Sequence, residues 1–184
     1  MEQNTALLVM DMQLGILSNF TNPENIIRNV AEAIENARTK NIPVIYVTLG
    51  FKNGASEISS NNKVFAATKE HINNINMDEF SKIHPELAPQ ENDIHVMKRR
   101  VSAFTGSELE IILRSREIKH IILSGVATSG IVLSTMTEAS DKDYKISILS
   151  DACADRDDEV HRVLTTKVFL RHAQVLTIEE WKNS

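Results

Sequence analysis

An aspartate ends the apolar run LLVMDMQ at residues 7–13, and a lysine follows a second run within VMKRRVSAF at residues 96–104. A carboxylate such as Asp11, placed in a buried crevice, has its pKa raised and exchanges a proton as a general acid or base. Lys98 beside it would supply a cation to stabilise developing negative charge. Strand alternation sends Lys98 and Arg100 to one side and Arg99 to the other, which sets the lysine apart from an ordinary solvated basic cluster. A third segment, IILSGVATSGIV at residues 121–132, is an apolar run that breaks into a glycine-led turn. There Gly125 permits a tight turn, and Thr128 or Ser129 can cap the helix that follows. First-turn amides would then face the crevice as an anion or oxyanion site.

These residues have to be positioned by strands. Residues 6–10 form a continuous apolar run, the pattern of a strand buried on both faces. Asn22-Pro23 is a helix start, with Asn as N-cap and Pro at the first helical position. Ile26, Ile27, Val30, Ala33, Ile34 and Ala37 then recur at helical spacing. Strands are expected at residues 43–49, 93–97, 120–123, 145–149 and 174–178, the first of these rich in β-branched residues. Between them, Thr105 and Glu108 have capping-box spacing before Leu109, and further helices carry Ile131–Thr135 and Val160–Val168. The alternation predicts an α/β fold of three layers, Rossmann-like, with a six-stranded, mostly parallel sheet and helices on both faces. Its expected strand order is 3-2-1-4-5-6, which places the crevice between strands one and four.

One stretch breaks the rhythm. Residues 51–92 show no clear strand and only a weak helical piece near Val64 to Ile72. Long connections of this kind serve as lids, binding loops or contacts between subunits. The expected organisation is one domain over residues 1–184, with a lid or oligomer-contact insertion at about 51–92.

Bulk properties narrow the function classes. The 184 residues carry a net charge of −5, with 42% hydrophobic and 24% charged side chains. That balance speaks against disorder, nucleic-acid binding and adhesion to anionic membranes. No stretch approaches the ~18 apolar residues of a membrane span. The lone Cys153 cannot form an internal disulfide, and with no signal-peptide pattern the expected location is cytoplasmic. The six histidines show no HxH, HExxH or Cys-His spacing, so no metal is expected. No GxGxxG follows strand one, which argues against a dinucleotide cofactor. No cofactor of any kind is expected. The acidic run Asp155, Asp157, Asp158 reads as a helix cap, and His161 as a packing residue.

Taken together, the strand ending in Asp11, the VMKRRVSAF segment, GVATSGIVLST and the later DACADRDDEVH resemble the isochorismatase-like hydrolase family. The resemblance runs from about residue 5 to 178. It implies the fold above, a small-molecule substrate, a homodimer or higher homo-oligomer, and a cis peptide at Val126-Ala127. In the cysteine hydrolases of that family Asp11 would match the aspartate that handles the proton, Lys98 the catalytic lysine, and Ile131 the nucleophilic cysteine. Gln13, Ala127, Thr128 and Ile131 are the expected substrate-binding positions. Isoleucine has no lone pair and no ionisable proton, so a covalent thioester route is closed at that position. Two readings follow: a hydrolase using acid chemistry at Asp11, or a family member that binds without catalysis.

Overall fold

The computed structural model describes residues 4–184. The chain opens with β1 (Thr5–Met10), the short helix α1 (Leu14–Leu17) and the long helix α2 (Glu24–Thr39), then enters β2 (Val44–Leu49). Residues 51–92 hold three short helices, α3 (Lys63–Ala66), α4 (Lys69–Asn74) and α5 (Met77–Ser81). After β3 (Ile94–Lys98) come α6 (Leu109–Ser115), β4 (His120–Val126), a π-turn at Thr128–Val132 and α7 (Leu133–Asp141). The chain ends with β5 (Lys145–Ala154), α8 (Asp158–Val163), β6 (Gln174–Leu176) and α9 (Ile178–Lys182).

All strand pairs are parallel and their order is 3-2-1-4-5-6. Every residue of β1 is buried, and strand alternation divides them between two cores. Ala6, Leu8 and Met10 join Leu109, Leu113 and Met136 on one face, while Leu7 and Val9 join Ile27, Val30, Ile34 and Trp181 on the other. This is why β1 reads as an unbroken apolar run.

Element boundaries differ from the local sequence signals in several places. Asn22 takes a left-handed φ of 57° and Pro23 becomes the N-cap of α2, so the helix begins one residue later than the Asn-Pro signal suggests. Thr105 donates to Glu138 rather than capping α6, whose N-cap is Glu108. The last strand is cut short because Thr177 and Glu180 form a capping box that starts α9. In the other direction, β5 runs on to Ala154, taking in Cys153 opposite Gly125.

The segment 51–92 has a small apolar core of its own. Phe51, Ala55, Ile58 and Phe65 are buried together, with Phe51 and Phe65 meeting edge to face at 5.3 Å. Among the described residues no helix is long and apolar enough to cross a membrane.

Candidate active site

The site begins where β1 stops. The Asp11 N–H donates to Val47 of β2 (2.8 Å), extending the ladder by one residue. Asp11 then adopts φ 56°, a left-handed conformation that Asp tolerates better than most side chains, and the strand ends. On the other flank Met10 is in register with Gly125 of β4. Gly125 has φ 113°, and a Cβ there would lie 2.0 Å from the Met10 carbonyl oxygen. Only glycine lets the two strands meet so closely at the point where the sheet opens.

Lys98 is the last residue of β3, in register with Leu49 of β2. Its long stem carries the ammonium past the end of β2 to Asp11, where Nζ lies 3.0 Å from Oδ2. Nζ also donates to the Arg100 carbonyl (3.1 Å). Both side chains are buried, with Lys98 only 1% exposed. The other carboxylate oxygen, Asp11 Oδ1, is buried and has no hydrogen-bond partner among the described residues. Burial pushes the Asp11 carboxyl above its ordinary pKa, and the charge and hydrogen bond of Lys98 oppose that shift without cancelling it.

The two arginines beside Lys98 behave differently from strand alternation. β3 ends at Lys98, so the alternation no longer governs them, and both turn to Glu57 of the segment 51–92. Arg99 Nε pairs with the Glu57 carboxylate at 3.5 Å and Arg100 donates to the Glu57 carbonyl. The Lys52 N–H also donates to that carboxylate (2.8 Å). This ties the insertion to the segment that carries Lys98.

Gln13 is fully buried two residues beyond Asp11. Its amide donates to the carbonyls of Leu49 (3.0 Å) and Phe80 (3.1 Å), and its oxygen accepts from the Leu49 N–H (2.7 Å). Both donors and one lone pair are thereby engaged, leaving a single lone pair for any ligand. Gln13 also forms an antiparallel bridge with Ile83, so it fastens the end of the insertion to the mouth of β1. Gln13→Ala should cost roughly 2–3 kcal/mol by stranding buried backbone groups. Urea unfolding measures the loss, and faster amide exchange confined to residues 80–84 would locate it.

The turn after β4 carries the remaining positions. The Val126-Ala127 peptide is cis, as the resemblance implied. Ala127 is half-buried and its carbonyl accepts from the N–H groups of Gly130 (3.0 Å) and Val132 (3.4 Å). Thr128 is fully buried, and its hydroxyl lies 2.8 Å from His161 Nδ1 on α8. The Ser129 N–H donates to Asp155 Oδ2 at 2.7 Å. Thus neither Thr128 nor Ser129 caps the helix with its own side chain, and three of the first-turn amides already have protein acceptors. Ile131 is buried in the cluster that includes Ala103, Phe104 and Met136.

Asp11 and Lys98 are therefore brought into direct contact, and register places the turn of Ala127, Thr128 and Ile131 beside the end of β1. The acidic run was legible as a cap only in part. Asp157 caps α8 by accepting from Glu159 and Val160, whereas Asp155 serves the turn after β4. His161 and Asp155 are the site's neighbours that sequence reasoning assigned elsewhere, although the DACADRDDEVH motif contains both. Cys153 is buried, and burial pushes its thiol to about 12, far from a reactive thiolate at neutral pH. Among the described residues no group of three His, Cys, Asp or Glu side chains is arranged to hold a metal ion.

Residues 5–180 match the family described as the isochorismatase domain. An uncharacterized isochorismatase family protein of Bacillus subtilis (strain 168), YwoC, is 30% identical over 97% of this chain and 93% of its own length. A probable inactive nicotinamidase of Arabidopsis thaliana is 26% identical, covering 97% of this chain and 95% of its own. Among solved structures, an isochorismatase family protein from Burkholderia thailandensis superimposes with a TM-score of 0.86 at 26% identity, covering 100% of this chain and 96% of that one.

Proposed function

Because the chain belongs to the isochorismatase family of hydrolases, we propose that it hydrolyses a small molecule by acid chemistry at Asp11, without a covalent intermediate, on a vinyl ether or similarly acid-labile substrate. The observation that carries this reading is the asymmetry of the Asp11 carboxyl group. Oδ2 is held by Lys98, while Oδ1 is buried and has no partner among the described residues. Burial raises the Asp11 pKa, and a proton taken up by the carboxyl would sit on the oxygen that Lys98 leaves free.

In such a reaction Oδ1–H protonates the terminal vinyl carbon, giving an oxocarbenium ion and the Asp11 carboxylate. Lys98 stabilises that carboxylate as it forms. Water adds to the cation, and its proton returns to Asp11. The resulting hemiketal then breaks its C–O bond to release a ketone and an alcohol. Ile131 would be an apolar wall in this scheme, since no step needs a nucleophile there.

A second reading is a protein that binds a small ligand without turning it over. Two observations favour it: isoleucine stands where the resemblance expects the cysteine nucleophile, and a relative covering 97% of the chain is named a probable inactive nicotinamidase. One panel of amides, carbamoyl compounds and vinyl ethers, run on wild type, Asp11→Asn and Ile131→Cys, separates the two. Vinyl-ether cleavage by wild type that disappears in Asp11→Asn supports acid hydrolysis. Thermal stabilisation by a panel member that is never consumed supports the binding reading, and amide hydrolysis gained in Ile131→Cys would strengthen it.

A further inference from the structure

We propose that His161 and Asp155 are positioning residues of the Asp11 site, acting through Thr128 and Ser129 to set the crevice wall that follows β4; its catalytic part rests on the proposed hydrolase function. Neither residue is needed to cap α8. Asp157 accepts from Glu159 and Val160 and so completes the N-cap of α8, with Asp158 and Glu159 adding the favourable first-turn charge. Asp155 and His161 instead reach across to the preceding βα turn, where they hold two consecutive residues.

The contacts are ones the turn cannot replace locally. The Thr128 hydroxyl is fully buried, and without His161 it would be stranded. Ser129 presents one of the amide donors that a helix start leaves without an intrahelical partner, and the Asp155 carboxylate fills that role. Burial acts to raise the Asp155 pKa, but hydrogen bonds from Ser129, Arg156 and Asp157 outweigh it and keep the carboxyl ionised. Burial lowers the pKa of the half-buried His161, although Asp155 and Asp158 pull the other way. Either neutral tautomer of the ring can bond Thr128.

The geometry explains why this clamp bears on the site. The end of β4 is fixed at Gly125 by its close approach to Met10. Beyond that point, the course of Ala127 to Ile131 depends on what holds residues 128 and 129. These residues follow the strand that flanks Asp11, so a shift of the turn would alter the space beside the end of β1. Displacements near 1 Å can cost about 100-fold in rate.

The test compares His161→Ala, His161→Asn and Asp155→Ala in the full chain. The asparagine amide lies near the position of Nδ1 and can bond Thr128. In His161→Ala, amide exchange over residues 128–132 should accelerate about tenfold, the equivalent of one hydrogen bond, while β1 and β2 amides keep their wild-type rates. His161→Asn should restore the wild-type exchange, and Asp155→Ala, which removes the acceptor of the Ser129 N–H, should loosen residue 129 most. On any substrate the panel yields, kcat should fall about tenfold in His161→Ala with KM unchanged and recover in His161→Asn. Unchanged exchange in His161→Ala and Asp155→Ala would overturn the clamp. Faster exchange with unchanged kcat would overturn its positioning role. If no substrate is turned over, the hydrolase reading and the catalytic part of this proposal fail together, and the exchange data still decide the clamp. Should His161→Ala fail to fold, His161→Asn against Asp155→Ala gives the same decision.

Discussion

Asp11→Asn is expected to lower turnover about a thousandfold, the middle of the range for loss of a general acid. The replacement is nearly isosteric, and the new amide oxygen still accepts from Lys98 Nζ, which lies 3.0 Å from Oδ2 in the wild-type pair. The fold should therefore survive, at a stability cost below the ~3–5 kcal/mol of removing one partner of a buried pair outright. The pH dependence separates an acid from a merely structural aspartate. The folded-state pKa of Asp11 is raised, because burial outweighs Lys98. A group raised in this way stabilises the fold fully below its unfolded-state pKa, and that contribution is lost as pH rises through the folded value. The fraction of enzyme able to donate the proton declines over the same window. kcat/KM should thus fall on the alkaline side, and urea unfolding of Asp11→Asn should lack the matching pH dependence. Wild-type turnover in Asp11→Asn, or a pH–rate profile with no alkaline limb, would remove Asp11 from the role of acid.

The largest expected effect on stability belongs to Gly125→Ala. Its Cβ would fall 2.0 Å from the Met10 carbonyl oxygen, and that contact is with backbone, which cannot swing aside as a side-chain tip can. The residue must also hold φ 113°, a region that L side chains rarely adopt. Backbone strain and overpacking together amount to about 4 kcal/mol. Typical domains have roughly 5–15 kcal/mol to lose, so the variant should be poorly soluble or show a much lower urea midpoint. Relief requires β1 and β4 to separate where Asp11 begins, so any folded remainder should also lose activity. A wild-type midpoint for Gly125→Ala would show that the close approach of the two strands is dispensable.

The chain itself determined the layered sheet, because the buried runs of β1, β2 and β4 and the helical spacing along α2 are local patterns with local causes. The same holds for the candidate acid at a strand end and for the glycine that follows β4. Where signals competed at short range, as at Asn22-Pro23 and Thr105, sequence patterns misplaced the helix caps, since a cap depends on where neighbouring elements draw the side chain. The tertiary structure decided the pairings. Lys98 was legible as a candidate, but its contact with Asp11 depends on β2 lying between their strands and on a stem long enough to pass its end. Gln13 was expected to meet substrate, and the fold engages most of its amide in backbone contacts with Leu49 and Phe80. His161 and Asp155 look like parts of one helix start until β5 and α8 bring them to Thr128 and Ser129. Hydrophobic period encodes which segments are buried. Partners of buried polar groups are chosen only when strands from distant parts of the chain arrive side by side.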